Sequence, residues 1–325
     1  MKAVTIVAKE AAELTDTLSR PRGKVSPRDL RGRTLVSLIS SGTELNYNYL
    51  DVSSATFPTY PGYACVFEVT EVGEEVAGFK HGDLVMAMGG HREFQQIDSR
   101  ECHLVPESLK PETAVFTRLM GVSMSTLNTA ATQPPARVLV TGLGPVGNLA
   151  AQIFARCGYE VTAVDPVESR RKTARDCGLR DVRGSVSEGV SLENQIALHV
   201  ECSGHEQAVL DGCKSVRKRG EVVLVGVPWK PRTNLLAFEV LHAVFHKYAV
   251  LRSGWEWEIP RTHQDFNHHS LYENYEAALS WLKAGSIQVQ PLIGLYPPDE
   301  CQKVYQGLLH QTLTTPAAIF DWRTE

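Results

Sequence analysis

The sequence has no closely spaced cysteine pairs and no long apolar or basic run. Its seven cysteines are scattered, and no two of them form a C-x-x-C pair. This spacing argues against both a disulfide framework and a cysteine-rich zinc lobe. No apolar stretch approaches the length that spans a bilayer. A formal net charge of −4 without a basic run gives no electrostatic reason to bind nucleic acid or an anionic membrane. We therefore expect no nucleic-acid and no membrane partner.

The amino terminus also lacks the apolar core of a signal peptide. Its first apolar residues break off at Lys9 and Glu10, before such a core is complete. We therefore expect a cytoplasmic protein. Its 325 residues exceed what one compact core usually holds, so two domains are expected.

Hydrophobic periodicity divides the chain into regions of different character. Up to about residue 120, short β-rich runs such as 34–39, 65–72 and 84–88 are separated by turn residues, which indicates an irregular β domain. From about 120 to 257, apolar runs alternate with helical segments, the pattern of βαβ units around a parallel sheet. The predicted fold class is therefore α/β.

A glycine-rich loop follows the predicted strand at 138–140. Its sequence is Gly142-Leu143-Gly144-Pro145-Val146-Gly147, and a predicted helix from about 147 to 157 comes next. In such loops the first glycine permits a tight turn, the second lets the backbone approach a pyrophosphate, and the third lets helix and strand pack closely. The helix directs amide donors and its positive dipole end at the phosphates. The order of these features predicts a dinucleotide site, with an ordinary glycine turn as the alternative.

Asp165 stands at the end of the next apolar run, 161–164. An acid there accepts hydrogen bonds from the ribose hydroxyls and repels a 2′-phosphate. Arg170 and Arg171 follow closely, but they would serve a 2′-phosphate only if Asp165 were turned away. The pattern favours NAD over NADP.

Three further segments resemble the medium-chain dehydrogenases/reductases, the superfamily of the zinc alcohol dehydrogenases. Residues 71–85 resemble its turn-and-strand signature, Pro61-Gly62-Tyr63-Ala64 its Pro-Gly-His-Glu box, and Ser41-Gly42-Thr43-Glu44 its Cys-Gly-Thr-Asp box. The resemblance covers nearly the whole chain. It implies a GroES-like β domain of residues 1–119 and 258–325, with a Rossmann domain of residues 120–257 inserted between its parts. It also implies that a small-molecule substrate binds in the interdomain cleft.

The same resemblance implies further residues and a partner. It places NAD-binding turns at 201–205 and 225–228, because ligands of such sheets gather at the carboxyl ends of the strands. It also implies a homodimer formed through sheet edges, to which the apolar run 241–245 contributes. The remaining predicted cofactor-binding residues are Pro166, Arg170, Cys202, Ser203, Gly204, Gly226 and Val227.

The positions of the family's catalytic zinc ligands have changed. Ser41 replaces the cysteine, Tyr63 replaces the histidine, and Thr117 aligns with the third ligand. None of them supplies a thiolate, imidazole or carboxylate, so this trio is not expected to hold zinc. Ala64 replaces a supporting glutamate, and residues 83–94 are too few for the structural zinc lobe. We predict a zinc-free protein. The alternative is a substitute metal site made of Glu44, Cys65 and His91.

Without zinc, another group must handle the substrate proton. Tyr63 is the first candidate because its phenol can donate and accept a proton, although it could equally fill the vacated ligand position. Thr43 matches the family hydroxyl that passes the proton toward solvent. Glu44 either orients a substrate hydroxyl or satisfies backbone donors. His91 is either a proton relay or a solvated loop histidine.

Three functions remain open at this stage. The first is a zinc-independent, NAD-dependent oxidoreductase that acts on a secondary alcohol, polyol or sugar-like hydroxyl, or on the corresponding ketone. The second is a quinone or enoyl reductase that uses NADPH, against which Asp165 argues. The third is an NAD(H)-binding protein that has lost turnover.

Overall fold

The computed structural model describes residues 1–50 and 56–323. Its strands are β1 (Ala3–Ala8), β2 (Ala11–Thr15), β3 (Asp29–Leu38), β4 (Ala64–Val72), β5 (Leu84–Ala87), β6 (Phe94–Asp98), β7 (Cys102–Leu104), β8 (Arg137–Thr141), β9 (Glu160–Val164), β10 (Asp181–Arg183), β11 (Ile196–Glu201), β12 (Val216–Leu224), β13 (Val250–Ser253), β14 (Ile293–Tyr296) and β15 (Ala317–Asp321). Its α-helices are α1 (Ser41–Glu44), α2 (Pro111–Ala114), α3 (Thr117–Thr129), α4 (Pro145–Arg156), α5 (Glu168–Asp176), α6 (Glu206–Ser215), α7 (Ala237–Lys247), α8 (Leu271–Lys283) and α9 (Cys301–Leu309). Within these ranges, no helix has the length and apolar character needed to cross a membrane.

The chain divides into two compact units. Unit 1 comprises residues 1–118 together with those from Leu292 on, and unit 2 comprises residues 119–291. The predicted domain of residues 1–119 and 258–325 includes 51–55 and 324–325, which lie outside the described residues.

The chain returns from unit 2 to unit 1 between residues 291 and 292. The sequence predicted the corresponding domain boundary between residues 257 and 258. The difference arises because α8 packs within unit 2. Gly121 lies so close to Tyr275 of α8 that a Cβ on the glycine would be 2.3 Å from the ring. Asn128 Nδ2 also donates to Asn274 Oδ1 at 2.7 Å. A helix period shows that α8 is amphipathic, but it does not show which unit its apolar face covers.

Unit 1 is built on a mixed, mostly antiparallel β-sheet. The strand order is β14-β15-β3-β4-β5-β7, β6 pairs with β3, and β1 and β2 form a separate two-stranded sheet. β4 supplies a run of buried apolar residues, 64–67, to the core. A second apolar cluster joins the amino-terminal strands to α9 and β15. This cluster forms the surroundings of α1, which carries several of the predicted site residues.

Unit 2 is a six-stranded parallel sheet in the order β10-β9-β8-β11-β12-β13. This is the order of a doubly wound Rossmann sheet, in which ligands bind where the strand order reverses. β11 is buried along its whole length, as expected for a central parallel strand covered on both faces. The fold class predicted from the sequence, α/β with a GroES-like β domain and a Rossmann domain, is confirmed.

Candidate functional site

The glycine-rich loop of unit 2 connects β8 to α4. Gly142 has φ +82°, a left-handed conformation that favours glycine, and a Cβ there would lie 2.8 Å from Ser203. A Cβ on Gly147 would lie 1.8 Å from the Gly142 carbonyl oxygen. Gly144, the N-cap of α4, has open space where its Cβ would be. The loop therefore presents bare backbone at the amino end of a twelve-residue helix, which suits an anionic phosphate.

Asp165 follows β9 and is only 1% exposed. Its Oδ2 accepts from the Leu143 amide at 2.7 Å and its Oδ1 from the Val167 amide at 2.8 Å. Arg170 Nη1 lies 3.5 Å from Oδ2, and Arg171 Nη1 donates to the Asp165 carbonyl at 2.7 Å. The carboxylate thus joins the glycine loop to the end of the neighbouring strand.

The turns after β11 and β12 pack against each other. A Cβ on Gly204 would lie 2.4 Å from the Val227 carbonyl oxygen, and one on Gly226 would lie 2.3 Å from the Gly204 nitrogen. The buried Glu201 carboxylate accepts from the Ser203 amide at 2.7 Å and the Gly204 amide at 3.0 Å. Burial raises the pKa of Glu201, although these hydrogen bonds oppose the shift. Glu201 therefore fixes the shape of a turn that the sequence had predicted to bind the cofactor.

The predicted cofactor residues converge at one edge of the sheet, because the carboxyl ends of parallel strands share that edge. They occupy the loops after β8, β9, β11 and β12 and the first turns of the helices that follow. This group comprises Gly142, Leu143, Gly144, Pro145, Val146, Gly147, Asp165, Pro166, Arg170, Cys202, Ser203, Gly204, Gly226 and Val227.

In unit 1, a buried hydrogen-bond network surrounds Glu44. Its Oε2 lies 2.9 Å from His91 Nε2 and accepts from the Tyr305 hydroxyl at 2.7 Å, while its Oε1 accepts from the Ser40 amide at 2.8 Å. Burial and the adjacent carboxylate raise the pKa of Tyr305 well above its usual value, so this phenol remains a donor. These bonds tie α1 to α9 and to the loop that carries His91.

The network continues on the other side of the His91 ring. Trp322 Nε1 can only donate, and it does so to Ser37 Oγ at 2.9 Å. Ser37 Oγ lies 2.8 Å from His91 Nδ1. Each of these groups has a partner when Ser37 donates to Nδ1 and His91 donates from Nε2 to Glu44. Phe320 packs edge-on against the imidazole with ring centroids 5.1 Å apart.

This burial changes the interpretation of two predicted catalytic residues. Glu44 is 2% exposed and His91 is 1% exposed. His91 is therefore not a solvated loop histidine, and in this conformation neither side chain is open to a substrate. Their polar atoms are instead used to join three segments of unit 1.

The arrangement of donors does not fit a metal ion. The described ranges contain no group of three histidine, cysteine or acidic side chains placed to hold one. Glu44 and His91 bind each other, and Cys65 is fully buried on β4. The alternative site of Glu44, Cys65 and His91 is therefore not formed.

Tyr63 directly precedes β4 and is half-buried. The guanidinium carbon of Arg118, the second residue of α3, lies 4.3 Å from its ring centroid. Arg118 is itself 2% exposed. A cation over the ring face is attracted by the ring quadrupole, and this attraction stabilises the contact.

The other predicted positions differ in exposure. Ser41 and Thr43 are half-buried on α1, and Ala64 is buried at the start of β4. Thr117 is fully buried, and its hydroxyl has no hydrogen-bond partner among the described residues. Thr43 is thus held by the same short helix that Glu44 anchors.

Sequence reasoning missed Arg118, Tyr305 and Trp322. Arg118 follows Thr117 and is the one charged residue in the stretch 113–136. That contrast was a usable signal, since arginine is seldom fully buried without a partner. Tyr305 and Trp322 carried no such signal, because they approach His91 and Glu44 only through long-range packing.

Comparison with known proteins agrees with this fold. Residues 145–261 match the family model described as zinc-binding dehydrogenase. The L-threonine 3-dehydrogenase of Pyrococcus abyssi is 26% identical over 319 residues, which cover 80% of this chain and 90% of that protein. The matched regions extend well beyond the glycine loop.

Solved structures extend the likeness to nearly the whole chain. Galactitol-1-phosphate dehydrogenase from Escherichia coli has a TM-score of 0.81 at 16% identity and covers 99% of this chain and 100% of its own. The protein called CAD from Helicobacter pylori was solved as a complex with NADP(H). It has a TM-score of 0.79 at 19% identity, and the match covers 100% of this chain and 98% of that one. At these identities the likeness shows a common fold.

Proposed function

From its relationship to the medium-chain, zinc-binding dehydrogenases, we propose that this chain is an NAD-dependent oxidoreductase that works without zinc. Its substrate would be a secondary alcohol, polyol or sugar-like hydroxyl, or the corresponding ketone. One observation carries the proposal. Gly144 has open space beside it at the amino end of α4, and it lies in a turn that a hydrogen bond joins to Asp165. In the same chain, the positions that the resemblance assigns to zinc ligands hold hydroxyl groups. The proposal also includes a cytoplasmic location, and it includes no nucleic-acid or membrane partner.

The residues present suit a nicotinamide dinucleotide. The backbone of residues 142–147 would hold the pyrophosphate. Asp165 is 1% exposed and accepts from the Leu143 and Val167 amides, so it would accept from the adenosine ribose only after the Arg170 side chain beside it moves away. When bound, NAD supplies the hydride acceptor. The negative charge of Asp165 supports NAD over NADP, and Arg170 at 3.5 Å is the residue that would weaken this preference.

Tyr63 and Thr43 are the residues we propose for proton handling. Alcohol oxidation needs a group that takes the hydroxyl proton as hydride leaves. Tyr63 has a phenol on a half-buried side chain, and Thr43 has a half-buried hydroxyl on α1. Glu44 and His91 would serve this chemistry by fixing α1 rather than by contacting substrate.

Turnover and metal content test the proposal together. Protein purified without chelator is expected to lack stoichiometric zinc and to reduce NAD with a member of a panel of secondary alcohols, sugars and polyols. Tyr63→Phe is expected to lower kcat by about 100-fold or more while sparing NADH binding. Tyr248→Phe, at an exposed position of unit 2, is the matched control.

Each alternative gives a different result. One zinc per chain needed for activity would overturn the metal-free mechanism, and unchanged turnover in Tyr63→Phe would reduce Tyr63 to a space-filling role. NADH binding without turnover on any panel would indicate a non-catalytic protein. Turnover limited to NADPH with quinones or enones would indicate a reductase of that class.

Cofactor choice is tested at Asp165. Asp165→Ser is expected to weaken NAD binding and to relax discrimination against NADP, because the carboxylate that repels a 2′-phosphate is gone. Asp176→Ser removes an exposed acid from the end of α5 and serves as the control. Equal use of NAD and NADP by the parent protein would contradict the assignment.

We also propose a homodimer formed through unit 2. The edge strand β13 pairs only with β12 among the described strands, and α7 exposes Phe238, Leu241 and Phe245. Large apolar side chains grouped in this way are typical of protein interfaces. A second copy of the chain is the partner we propose for this surface.

A further inference from the structure

Arg118 carries a full positive charge and lies among buried residues. It is 2% exposed, and its neighbours Thr117, Leu119 and Met120 are also buried. Removing a guanidinium from water is costly unless nearby groups compensate. The ring of Tyr63, 4.3 Å from the guanidinium carbon, is one of the groups that face it. The position of this charge therefore bears directly on the chemistry of that phenol.

A fixed cation acts differently on the two protonation states of a tyrosine. It is attracted to the face of the neutral ring, and it is attracted more strongly to the phenolate, which carries a full negative charge. Arg118 therefore favours the deprotonated form of Tyr63. Arginine suits this role because it stays charged at any pH at which an enzyme works.

Among the residues that the structure describes, four other ionisable side chains of unit 1 either keep their proton or are bound to other groups. Cys65, two residues further along the chain in β4, keeps its proton because burial raises its pKa to about 12. His91 and Glu44, from the loop after β5 and from α1, are bonded to each other. Arg92, on that loop, donates from Nε to Gln95 Oε1 at 3.2 Å. Arg118 of α3 is the cation whose guanidinium lies over the ring.

We propose that Arg118 is a positioning residue that holds the Tyr63 ring and stabilises its phenolate, so that Tyr63 can act as the base. The proposal rests on the proposed function. During oxidation the substrate hydroxyl proton would pass to the Tyr63 oxygen, and the carbon-bound hydrogen would leave as hydride to NAD. The phenol would then return its proton to solvent. Arg118 would thus supply a positive charge beside Tyr63, at a position where the resemblance implies a zinc ligand.

Two substitutions separate charge from packing. Arg118→Met keeps most of the aliphatic stem and removes the charge, whereas Arg118→Lys keeps the charge and removes the planar group. The control is Arg156→Met, because Arg156 also lies over an aromatic ring, that of Trp281 at 4.8 Å, but outside the proposed proton-handling residues. Circular dichroism and melting temperature identify any variant that fails to fold.

The first readout needs no turnover. The protein has ten tyrosines, so the absorbance change on phenol ionisation is measured in parent and Tyr63→Phe, and their difference isolates Tyr63. In Arg118→Met the midpoint of this difference titration is expected to move to higher pH. In Arg118→Lys it should stay near that of the parent, and in Arg156→Met it should not move. An unmoved midpoint in folded Arg118→Met would overturn the proposal even if the chain proved inactive.

The second readout is the pH profile of kcat/KM. Arg118→Met is expected to shift the acid limb to higher pH and to lower kcat at neutral pH by about tenfold or more, with NADH binding unchanged. In the Tyr63→Phe background the same substitution should cause no further shift. A uniform loss at all pH values, equal in both backgrounds, would mean that Arg118 only supports the fold. If parent and Tyr63→Phe turn over equally, Tyr63 is not the base and this inference fails, while the proposed oxidoreductase function stands. NADH binding without turnover on any panel would overturn the proposed function, and the titration would then decide whether Arg118 stabilises the Tyr63 phenolate.

Discussion

His91 Nε2 lies 2.9 Å from Glu44 Oε2 inside unit 1, and both side chains are almost completely buried. The two residues come from segments 47 positions apart, yet they satisfy one another's polar atoms. Burying a carboxylate or an imidazole is costly unless its polar atoms find partners. The pair therefore joins α1, which carries Thr43, to the loop that carries His91.

Breaking this pair is expected to destabilise unit 1. His91→Leu should lower the free energy of unfolding by about 3–5 kcal/mol, because Glu44 keeps its burial and loses a donor. Replacing both, with Glu44→Met and His91→Leu, should cost less than the sum of the single changes. Urea unfolding of the four proteins gives the coupling energy.

The exposed pair His263–Glu273 provides the control for that cycle. Its atoms are 3.4 Å apart, and the side chains are 65% and 49% exposed. Solvent screening should keep its coupling below about 1 kcal/mol. Additive effects at Glu44 and His91 would show that the buried contact contributes nothing beyond packing.

Two glycines of the same loop are expected to respond differently to alanine. Gly147→Ala places a Cβ 1.8 Å from the Gly142 carbonyl oxygen, so helix and strand must move apart and the melting temperature should fall. Gly144→Ala meets open space and should melt like the parent. It should nevertheless weaken NADH binding by about tenfold or more, because the added methyl group occupies the space that the phosphates need. Thermal melts without cofactor and NADH fluorescence titrations measure the two effects, and a Gly144→Ala protein with parental affinity would place the phosphates elsewhere.

His199 should make unit 2 sensitive to acid. Burial in β11 lowers its pKa to about 3, whereas an unfolded histidine titrates near 6.5. Between these values the unfolded chain binds more protons, so stability is complete above about pH 6.5 and falls on acidification, by at most about 1.4 kcal/mol per pH unit. His199→Gln should reduce the loss of stability between about pH 7 and pH 5.

The control for His199 is His268→Gln, since His268 faces solvent. The His268→Gln protein should lose as much unfolding free energy between about pH 7 and pH 5 as the parent does. Urea midpoints at both pH values give the comparison. An unchanged acid dependence in a folded His199→Gln protein would contradict the role assigned to His199.

The apolar surface of α7 should control assembly. Phe245→Asp puts a charge at a side chain that is 76% exposed, so it should leave the fold intact while disrupting a dimer. Phe266→Asp, at an exposed position on a loop rather than on α7, should leave assembly unchanged. Sedimentation velocity measures the state of each protein, and a monomeric parent would remove the homodimer proposal.

Local features of unit 2 followed well from the sequence. The helix predicted at about 147–157 corresponds to α4, Pro145–Arg156. Alternation of apolar strands and amphipathic helices is a repeating local pattern, and the sheet order follows from its handed connections. The start of β12 at Val216 does not follow from the apolar pattern, because the polar residues 217–219 interrupt it.

The sequence alone determined that a glycine loop and an acid stand at consecutive strand ends, and that Ser41, Tyr63 and Thr117 hold the positions that the resemblance assigns to zinc ligands. These are properties of residue type and spacing, and parallel strands bring such ends together at one edge of a sheet. Only the tertiary structure decided that His91 and Glu44 satisfy each other, that α8 packs in unit 2, and that Arg118 lies over Tyr63. Such contacts join residues far apart in the chain, and they depend on how whole elements pack, which no local pattern of residues encodes.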